Sequence, residues 1–215
     1  GGAQAYRDSC TQLGGEFPAD DIFAPADTTD FTPYMEQINE VDAEALLVTW
    51  AGGGFIPLLQ AATDLGVLET KTLASPFVDN VALPAFFANA IGSTSSILYH
   101  YSFPDNAAND YLIERAAQAD GKPDLFDADG MNAAIMVVEA LKATGGAADA
   151  DSLRGVLEGL SFEGPKGTIE IRAEDHVALQ DMYIATLLNV DDPDLMFFEY
   201  VETVRPEPPC LLEGE

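Results

Sequence analysis

The hydrophobic residues of the first third of the chain begin with a helical spacing. Tyr34, Ile38 and Val41 recur at the intervals of one helix face. Thr32-Pro33 precedes them and suits a helix start, because Thr32 can cap the helix and a proline at the first helical position loses no hydrogen bond. We therefore predict a helix that begins at this pair.

A short apolar run follows over 45–50, without the alternation of a half-exposed strand. Such a run is typical of a strand that is covered on both faces. Glycines at 52–54 turn the chain, and 57–65 returns as a helix that ends at Gly66. In an α/β unit of this kind, the loop after the strand lies where open α/β sheets bind ligands.

The rest of the chain continues to alternate between helical and extended patterns. Helices are predicted over 2–13, 82–90, 107–119, 131–144 and 152–160, and strands within 16–24 and over 71–75, 95–101, 168–172, 181–189 and 196–204. Ala134, Val137, Val138 and Leu141 form an apolar face that we expect to be buried. Asp151 is expected to cap the helix over 152–160.

The charge balance narrows the classes of partner. Among 215 residues there are 9 Lys or Arg and 37 Asp or Glu, which gives a net charge of −28. Nucleic acids and anionic membrane surfaces are therefore disfavoured as partners. Acidic residues dispersed over the chain, with few lysines, favour a surface suited to a saline or extracellular setting; a merely acidic soluble protein is the alternative.

An ordered set of short motifs resembles a known family. They are Thr29-Asp30-Phe31-Thr32-Pro33 at the helix start, Asp42-Ala43 before the strand, Gln60-Ala61 and Leu65-Gly66-Val67 in the second helix, and Phe162 to Gly167 later in the chain. In this order they resemble the second lobe of the type I periplasmic solute-binding proteins of ABC importers. The similarity is to the branched-chain amino-acid and amide class, the Leu/Ile/Val-binding-protein-like family.

The resemblance implies an α/β fold with two lobes, each a three-layer α/β/α sandwich with a parallel sheet. Residues 1–101 would form the ligand-binding, Rossmann-like part of the second lobe. Residues 102–163 would be helices of the first lobe, and 164–215 would return to the second lobe and end in a tail. Gly1-Gly2-Ala3 has no features of a signal peptide, so the chain begins either after processing or part way through a longer protein. The resemblance favours the second, because a whole first lobe would precede Gly1. A missing first-lobe segment would then cover the apolar faces of the helices.

The function implied by the resemblance is that of the extracytoplasmic solute-binding component of an ABC transporter. It would capture a small polar solute, such as an amino acid, an amide or a related carboxylate, between two closing lobes, in a periplasmic or extracellular location. A membrane permease would be its partner, and no catalysis, cofactor, metal or nucleic acid is expected. A ligand-sensing domain of a receptor or regulator is the alternative, and an enzyme on a similar scaffold is a further one.

The first candidate binding loop is Trp50, Ala51, Gly52 and Gly53. Backbone N–H groups of a glycine turn at a helix start can hold a carboxylate without a side chain. Trp50 can wall an apolar pocket, although a core tryptophan beside a tight turn is the simpler interpretation. The spacing lacks the GxGxxG pattern of dinucleotide sites.

The second candidate loop is Ser75, Pro76 and Phe77. In amino-acid-binding relatives, a loop here supplies an acidic residue that pairs with the ammonium group of the ligand. Pro76 stands at the position that aligns, and Asp79 follows it. A solute without an ammonium group is therefore an open alternative.

The third candidate is Phe126, which the resemblance places against the ligand. Asp127 and Asp129 next to it are interpreted as helix-capping residues, because the spacing does not fit an EF-hand. His100 is interpreted as a packed histidine, with a hinge role as the alternative, and His176 as an exposed one. No nucleophile elbow, phosphate loop or HExxH motif is present in the sequence.

The two cysteines lie near opposite ends of the chain. Their spacing excludes a CxxC redox or zinc motif. In the resembled family Cys10 would lie on the first helix of the second lobe, to which the tail containing Cys210 returns. A disulfide between them is thus implied by the resemblance, and two unpaired thiols are the alternative.

Overall fold

A computed structural model describes residues 2–50, 52–75 and 78–210. The chain divides into two units, Gly1–Gly92 and Ser93–Glu215. In the first unit the elements are α1 (Gly2–Gln12), α2 (Thr32–Asn39), β1 (Ala45–Leu47), α3 (Phe55–Asp64), α4 (Val67–Thr70), β2 (Thr72–Ala74), α5 (Ala82–Phe86) and a 3₁₀ turn (Ala88–Ala90). Over the ranges that the structure describes, no helix has both the length and the apolar character needed to cross a membrane.

The core of the first unit lies where helices cover a short parallel pair of strands. β1 and β2 pair in register, with Leu46 opposite Leu73. Leu59 of α3 and Val67 of α4 are fully buried. Gly66 has φ +71° at the end of α3, as expected of a glycine that terminates a helix. The predicted helix–strand–turn–helix order between positions 32 and 66 is confirmed.

Two strand predictions in this unit need correction. The apolar run over 45–50 pairs with β2 only as far as Val48. The N–H of Val48 donates to the carbonyl of Ala74. β2 ends there, so the backbone beyond Val48 has no neighbouring strand among the described residues. The segment 16–24 contains no strand either. It is held by Arg7, which donates to the carbonyl of Ala19 and lies 4.3 Å from the centre of the Phe17 ring.

The second unit contains three helices and two antiparallel sheets in its described residues. Its elements are β3 (Thr94–Ile97), α6 (Ala107–Ala117), α7 (Leu125–Ala143), α8 (Ala150–Leu157), β4 (Ser161–Gly164), β5 (Gly167–Ile171), β6 (Ala178–Leu179), β7 (Met182–Leu187) and β8 (Phe198–Val204). The sheet orders are β3-β7-β8 and β4-β5-β6. The turn predicted over 162–167 is a hairpin, with Pro165-Lys166 between β4 and β5.

The longest helix starts earlier than predicted because of its cap. Asp124 accepts hydrogen bonds from the N–H groups of Phe126 and Asp127, and the side chain of Asp127 accepts one from the N–H of Asp124. This capping box begins α7 at Leu125 rather than at Met131. The interpretation of Asp127 as a capping residue is confirmed. The cap of α8 is Asp149 instead of Asp151, because Asp149 accepts from the N–H of Ser152.

The predicted buried face of α7 is wrong. Val137 and Val138 are about half exposed, at 51% and 48%. The buried positions are Leu125, Ala128, Asn132 and Ala140. α7 is apolar on both faces, and β4 and α8 cover the one that the hydrophobic spacing did not favour.

Lys166 is the most buried charged residue of the hairpin. Its side chain is fully buried, and its Nζ lies 3.2 Å from Oδ1 of Asp129. Burial lowers the pKa of Lys166, and the carboxylate of Asp129 partly offsets that effect. Asp129 therefore pairs with a buried ammonium group and does not cap the helix as predicted.

The disulfide implied by the resemblance is wrong, since both cysteines are free thiols. Sγ of Cys10 packs against Gly15, in contact with the position that a Cβ would occupy there. Cys210 follows Pro208 and Pro209, whose carbonyls accept hydrogen bonds from Arg172. Each thiol is thus placed by contacts within its own unit.

Replacing Asp124 by Ala is expected to lower the free energy of unfolding by about 1 kcal/mol, the usual value of a lost helix cap. Asp124→Asn is the matched control, because Asn retains the acceptor oxygen and caps nearly as well. Urea denaturation of both variants checks the prediction. Equal stability of Asp124→Ala and the parent chain would contradict it.

Candidate functional site

The first candidate loop connects β1 to α3 through a tight glycine turn. Gly52 has φ +94°, a conformation that favours glycine, and its carbonyl accepts the N–H of Phe55 at 3.0 Å. A Cβ on Gly54 would lie 2.7 Å from Nε1 of Trp50, so only glycine lets the indole pack there. The structure thus brings Trp50, Gly52 and Gly53 together in one turn at the carboxyl end of β1, while Ala51 lies outside the described residues.

Trp50 is held by an aromatic contact and carries an unused donor. The Phe31 ring meets it edge-on, with centroids 5.2 Å apart and planes at 85°. Nε1 of Trp50 is buried and has no hydrogen-bond acceptor among the described residues. A buried donor without an acceptor is costly.

The second candidate loop follows β2. Ser75 comes directly after the strand, whereas Pro76 and Phe77 lie outside the described residues. Asp79 accepts the N–H groups of Val81 at 2.9 Å and Ala82 at 2.6 Å. Its carboxylate therefore supports the turn into α5.

Two exposed apolar side chains lie beside these loops. Ile56 is 42% exposed in the first turn of α3, and Val81 is 70% exposed just before α5. Because β1 and β2 are parallel neighbours, both side chains follow strand ends at the same edge of the sheet. Sequence reasoning missed Ile56, Val81 and the contact of Phe31 with Trp50.

The remaining predicted residues belong to the second unit. Phe126 is 57% exposed in the first turn of α7. His100 is packed, as predicted: its Nε2 donates to the carbonyl of Leu195 at 2.9 Å, and burial lowers its pKa. His176 is exposed, also as predicted. Within the described ranges, no three His, Cys, Asp or Glu side chains are placed so that they could hold a metal ion.

Known proteins resemble the chain along most of its length. The Leu/Ile/Val-binding protein homolog 6 of Brucella melitensis is 27% identical over 198 residues, which cover 87% of this chain and 50% of that relative. The chain therefore spans about half the length of the curated relatives that it matches.

Two solved structures from Rhodopseudomonas palustris show the fold. An ABC-type branched-chain amino acid transporter protein is 28% identical, has a TM-score of 0.65, and is covered over 56% of its length by 95% of this chain. A solute-binding protein of an ABC transporter, solved with 4-hydroxybenzoate, is 20% identical with a TM-score of 0.78, and 99% of this chain covers 59% of it.

These neighbours share the type I fold of periplasmic binding proteins, which confirms the α/β prediction. The sequence pattern of the periplasmic binding protein family matches residues 1–191, well over half of the chain. The chain therefore belongs to the periplasmic binding protein family.

Proposed function

We propose that this chain is part of the extracytoplasmic solute-binding component of an ABC transporter. The whole protein captures a small polar solute between two lobes that close around it, and a membrane permease receives the solute. Its location is periplasmic or extracellular, and no catalytic step is required. Relatives of this family that carry the same fold serve in transporters for amino acids and aromatic carboxylates.

The observation that supports this function best is the arrangement around Trp50. The indole is braced by Phe31, its N–H has no acceptor among the described residues, and the glycine turn beside it begins α3. Backbone N–H groups at a helix start favour an anionic or polar ligand group. Trp50, Ala51, Gly52 and Gly53, together with Ser75, Pro76 and Phe77, are the residues that we propose to hold the solute, and Phe126 to cover it.

The exposed face of α7 supports the proposal that a first-lobe segment completes the protein. Val137 and Val138 lie half exposed on one face of α7, next to Ala134. Such a face is stabilised when another layer covers it. The chain matches about half the length of each curated relative, which agrees with a first-lobe layer that is not part of this sequence.

Replacing Trp50 by Ala is expected to weaken solute binding about 5- to 30-fold, the equivalent of one lost aromatic contact of about 1–2 kcal/mol. The measurement is calorimetric titration of the longest native polypeptide that contains these residues, with the solute first identified by native mass spectrometry. Phe23→Ala is the control, because Phe23 is an aromatic residue of the same unit that is 76% exposed and lies outside both loops. Unchanged affinity in Trp50→Ala with a normal melting curve would remove Trp50 from the site.

A further inference from the structure

Met196 lies in the loop between β7 and β8 and is the most exposed of the five methionines, all of which are among the described residues. It is 41% exposed, whereas Met35 is 3% exposed and Met131, Met136 and Met182 are half-buried. Access to solvent governs how fast an oxidant reaches a thioether in a folded protein. Exposure therefore singles out Met196 as the methionine that an oxidant meets first.

The backbone on both sides of Met196 is fixed by hydrogen bonds. Its N–H donates to Oδ1 of Asp192, and its carbonyl accepts from Nδ2 of Asn189, each at 3.3 Å. The next residue, Phe197, is fully buried and anchors the chain in the core. The side chain of Met196 is thus held at the surface by the fold of the loop.

The sulfur of Met196 contacts a hydroxyl group from another segment. The OH group of Tyr101 lies 3.1 Å from Sδ of Met196 and 2.6 Å from the carbonyl oxygen of Asp194. A phenol has one proton to donate, and a thioether sulfur is a weaker acceptor than a carbonyl oxygen. With the sulfur reduced, Tyr101 therefore donates mainly to Asp194 and ties the loop to the segment that follows β3.

Oxidation of the sulfur changes which acceptor is preferred. A methionine sulfoxide is polar, and its oxygen is bonded to the same sulfur that Tyr101 already contacts. We propose that Met196 is a site of oxidation by peroxide, and that its sulfoxide oxygen takes the hydrogen bond of the Tyr101 hydroxyl away from the carbonyl of Asp194.

The chemical step needs hydrogen peroxide as the oxidant. A lone pair of Sδ attacks one oxygen of the peroxide, and the S–O bond forms as the O–O bond breaks. The transferred oxygen gives up its proton to the departing hydroxide, which leaves as water. The sulfur is oxidised by two electrons, and the peroxide is reduced by two.

The consequence is a loop that opens more easily. In the reduced protein the Tyr101 hydroxyl and Nε2 of His100 donate to the carbonyls of two consecutive loop residues, Asp194 and Leu195. Oxidation of Met196 removes the first of these two attachments. Local opening of residues 192–196 then costs less free energy, and amide hydrogen exchange measures that cost.

Peptide mapping by mass spectrometry, after brief treatment of the longest native polypeptide with hydrogen peroxide, tests the site. Both thiols are first blocked with N-ethylmaleimide, because free cysteines also consume peroxide. Met196 is expected to oxidise at least about fivefold faster than each of the other four methionines. An equal or faster rate at any of those four would overturn the assignment.

Hydrogen exchange of the loop in the same polypeptide tests the role of Tyr101. After oxidation, the amides of residues 192–196 are expected to exchange about fivefold faster, as the loss of one hydrogen bond predicts. Met196→Leu is the matched control, because it has no sulfur, and peroxide should leave its exchange unchanged.

The variant Tyr101→Phe keeps the aromatic ring and removes the hydroxyl. Met196 should still oxidise in this variant, but exchange of the loop is already fast and should not rise further. Unchanged exchange in the oxidised parent, or an equal rise in oxidised Tyr101→Phe, would overturn the proposed transfer of the hydrogen bond.

Discussion

Between pH 10 and 12 the free energy of unfolding is expected to fall by on the order of 2 kcal/mol through Tyr183 alone. Tyr183 is 3% exposed and packs against Phe103, with ring centroids 5.5 Å apart. Burial raises its pKa to about 12, and the negative charge of Asp181 adds to the shift. The folded pKa lies above the unfolded value, so the contribution is complete below pH 10 and is lost as the pH rises to 12.

Tyr183→Phe isolates this effect from the general increase in negative charge at high pH. The variant removes the titrating hydroxyl and keeps the ring in its contact with Phe103. Denaturant titrations at pH 8 and at pH 11.5 should show a smaller loss of stability in the variant than in the parent. Tyr99 is the useful comparison, since burial also raises its pKa but its hydroxyl donates to Oδ1 of Asn109 at 2.6 Å. Parallel losses in the parent and in Tyr183→Phe would contradict the prediction.

Raising NaCl from 10 mM to 0.2 M is expected to increase the melting temperature by about 5 °C or more, on a scale of 2–4 °C per kcal/mol. Even if each of the 9 basic residues neutralised one of the 37 acidic ones, 37 − 9 = 28 negative charges would remain. Their mutual repulsion destabilises the folded state, and salt shortens the range of that repulsion from about 30 Å to about 8 Å.

The form of the salt dependence distinguishes screening from other effects. Screening changes most below about 0.2 M, whereas stabilisation by exclusion of salt from apolar surface keeps growing into the molar range. Sucrose at matched osmolality is the uncharged control. A melting temperature that stays constant or falls up to 0.2 M NaCl would contradict the prediction, and would favour an ordinary acidic protein over one adapted to saline conditions.

The spacing of hydrophobic residues predicted most helices and strands, but it did not predict which face of α7 is buried. Val137 and Val138 have the spacing of a buried face, whereas the buried residues of α7 are Leu125, Ala128, Asn132 and Ala140. Both faces are apolar, so the hydrophobic pattern alone could not decide between them. The contact with β4, about 25 positions later in the chain, made the choice.

The candidate site was predictable where its chemistry is local. The glycine turn at 52–54 and the aromatic residue before it are adjacent in sequence, and their roles in the turn follow from backbone conformation. The role of Asp79 was not predictable, because whether it accepts backbone N–H groups depends on the path of the chain into α5. The bracing of Trp50 by Phe31 is likewise a contact between residues 19 positions apart.

By itself the sequence determined the α/β order of the first unit, the glycine turn and the acidic surface, because local backbone preference, hydrophobic period and composition are properties of neighbouring residues. Tertiary structure decided how far β1 is paired, which face of α7 is covered, and that Cys10 and Cys210 stay free thiols. It also placed the buried charge of Lys166 beside Asp129. Each of these depends on contacts between distant segments, and such contacts form only when the chain has folded.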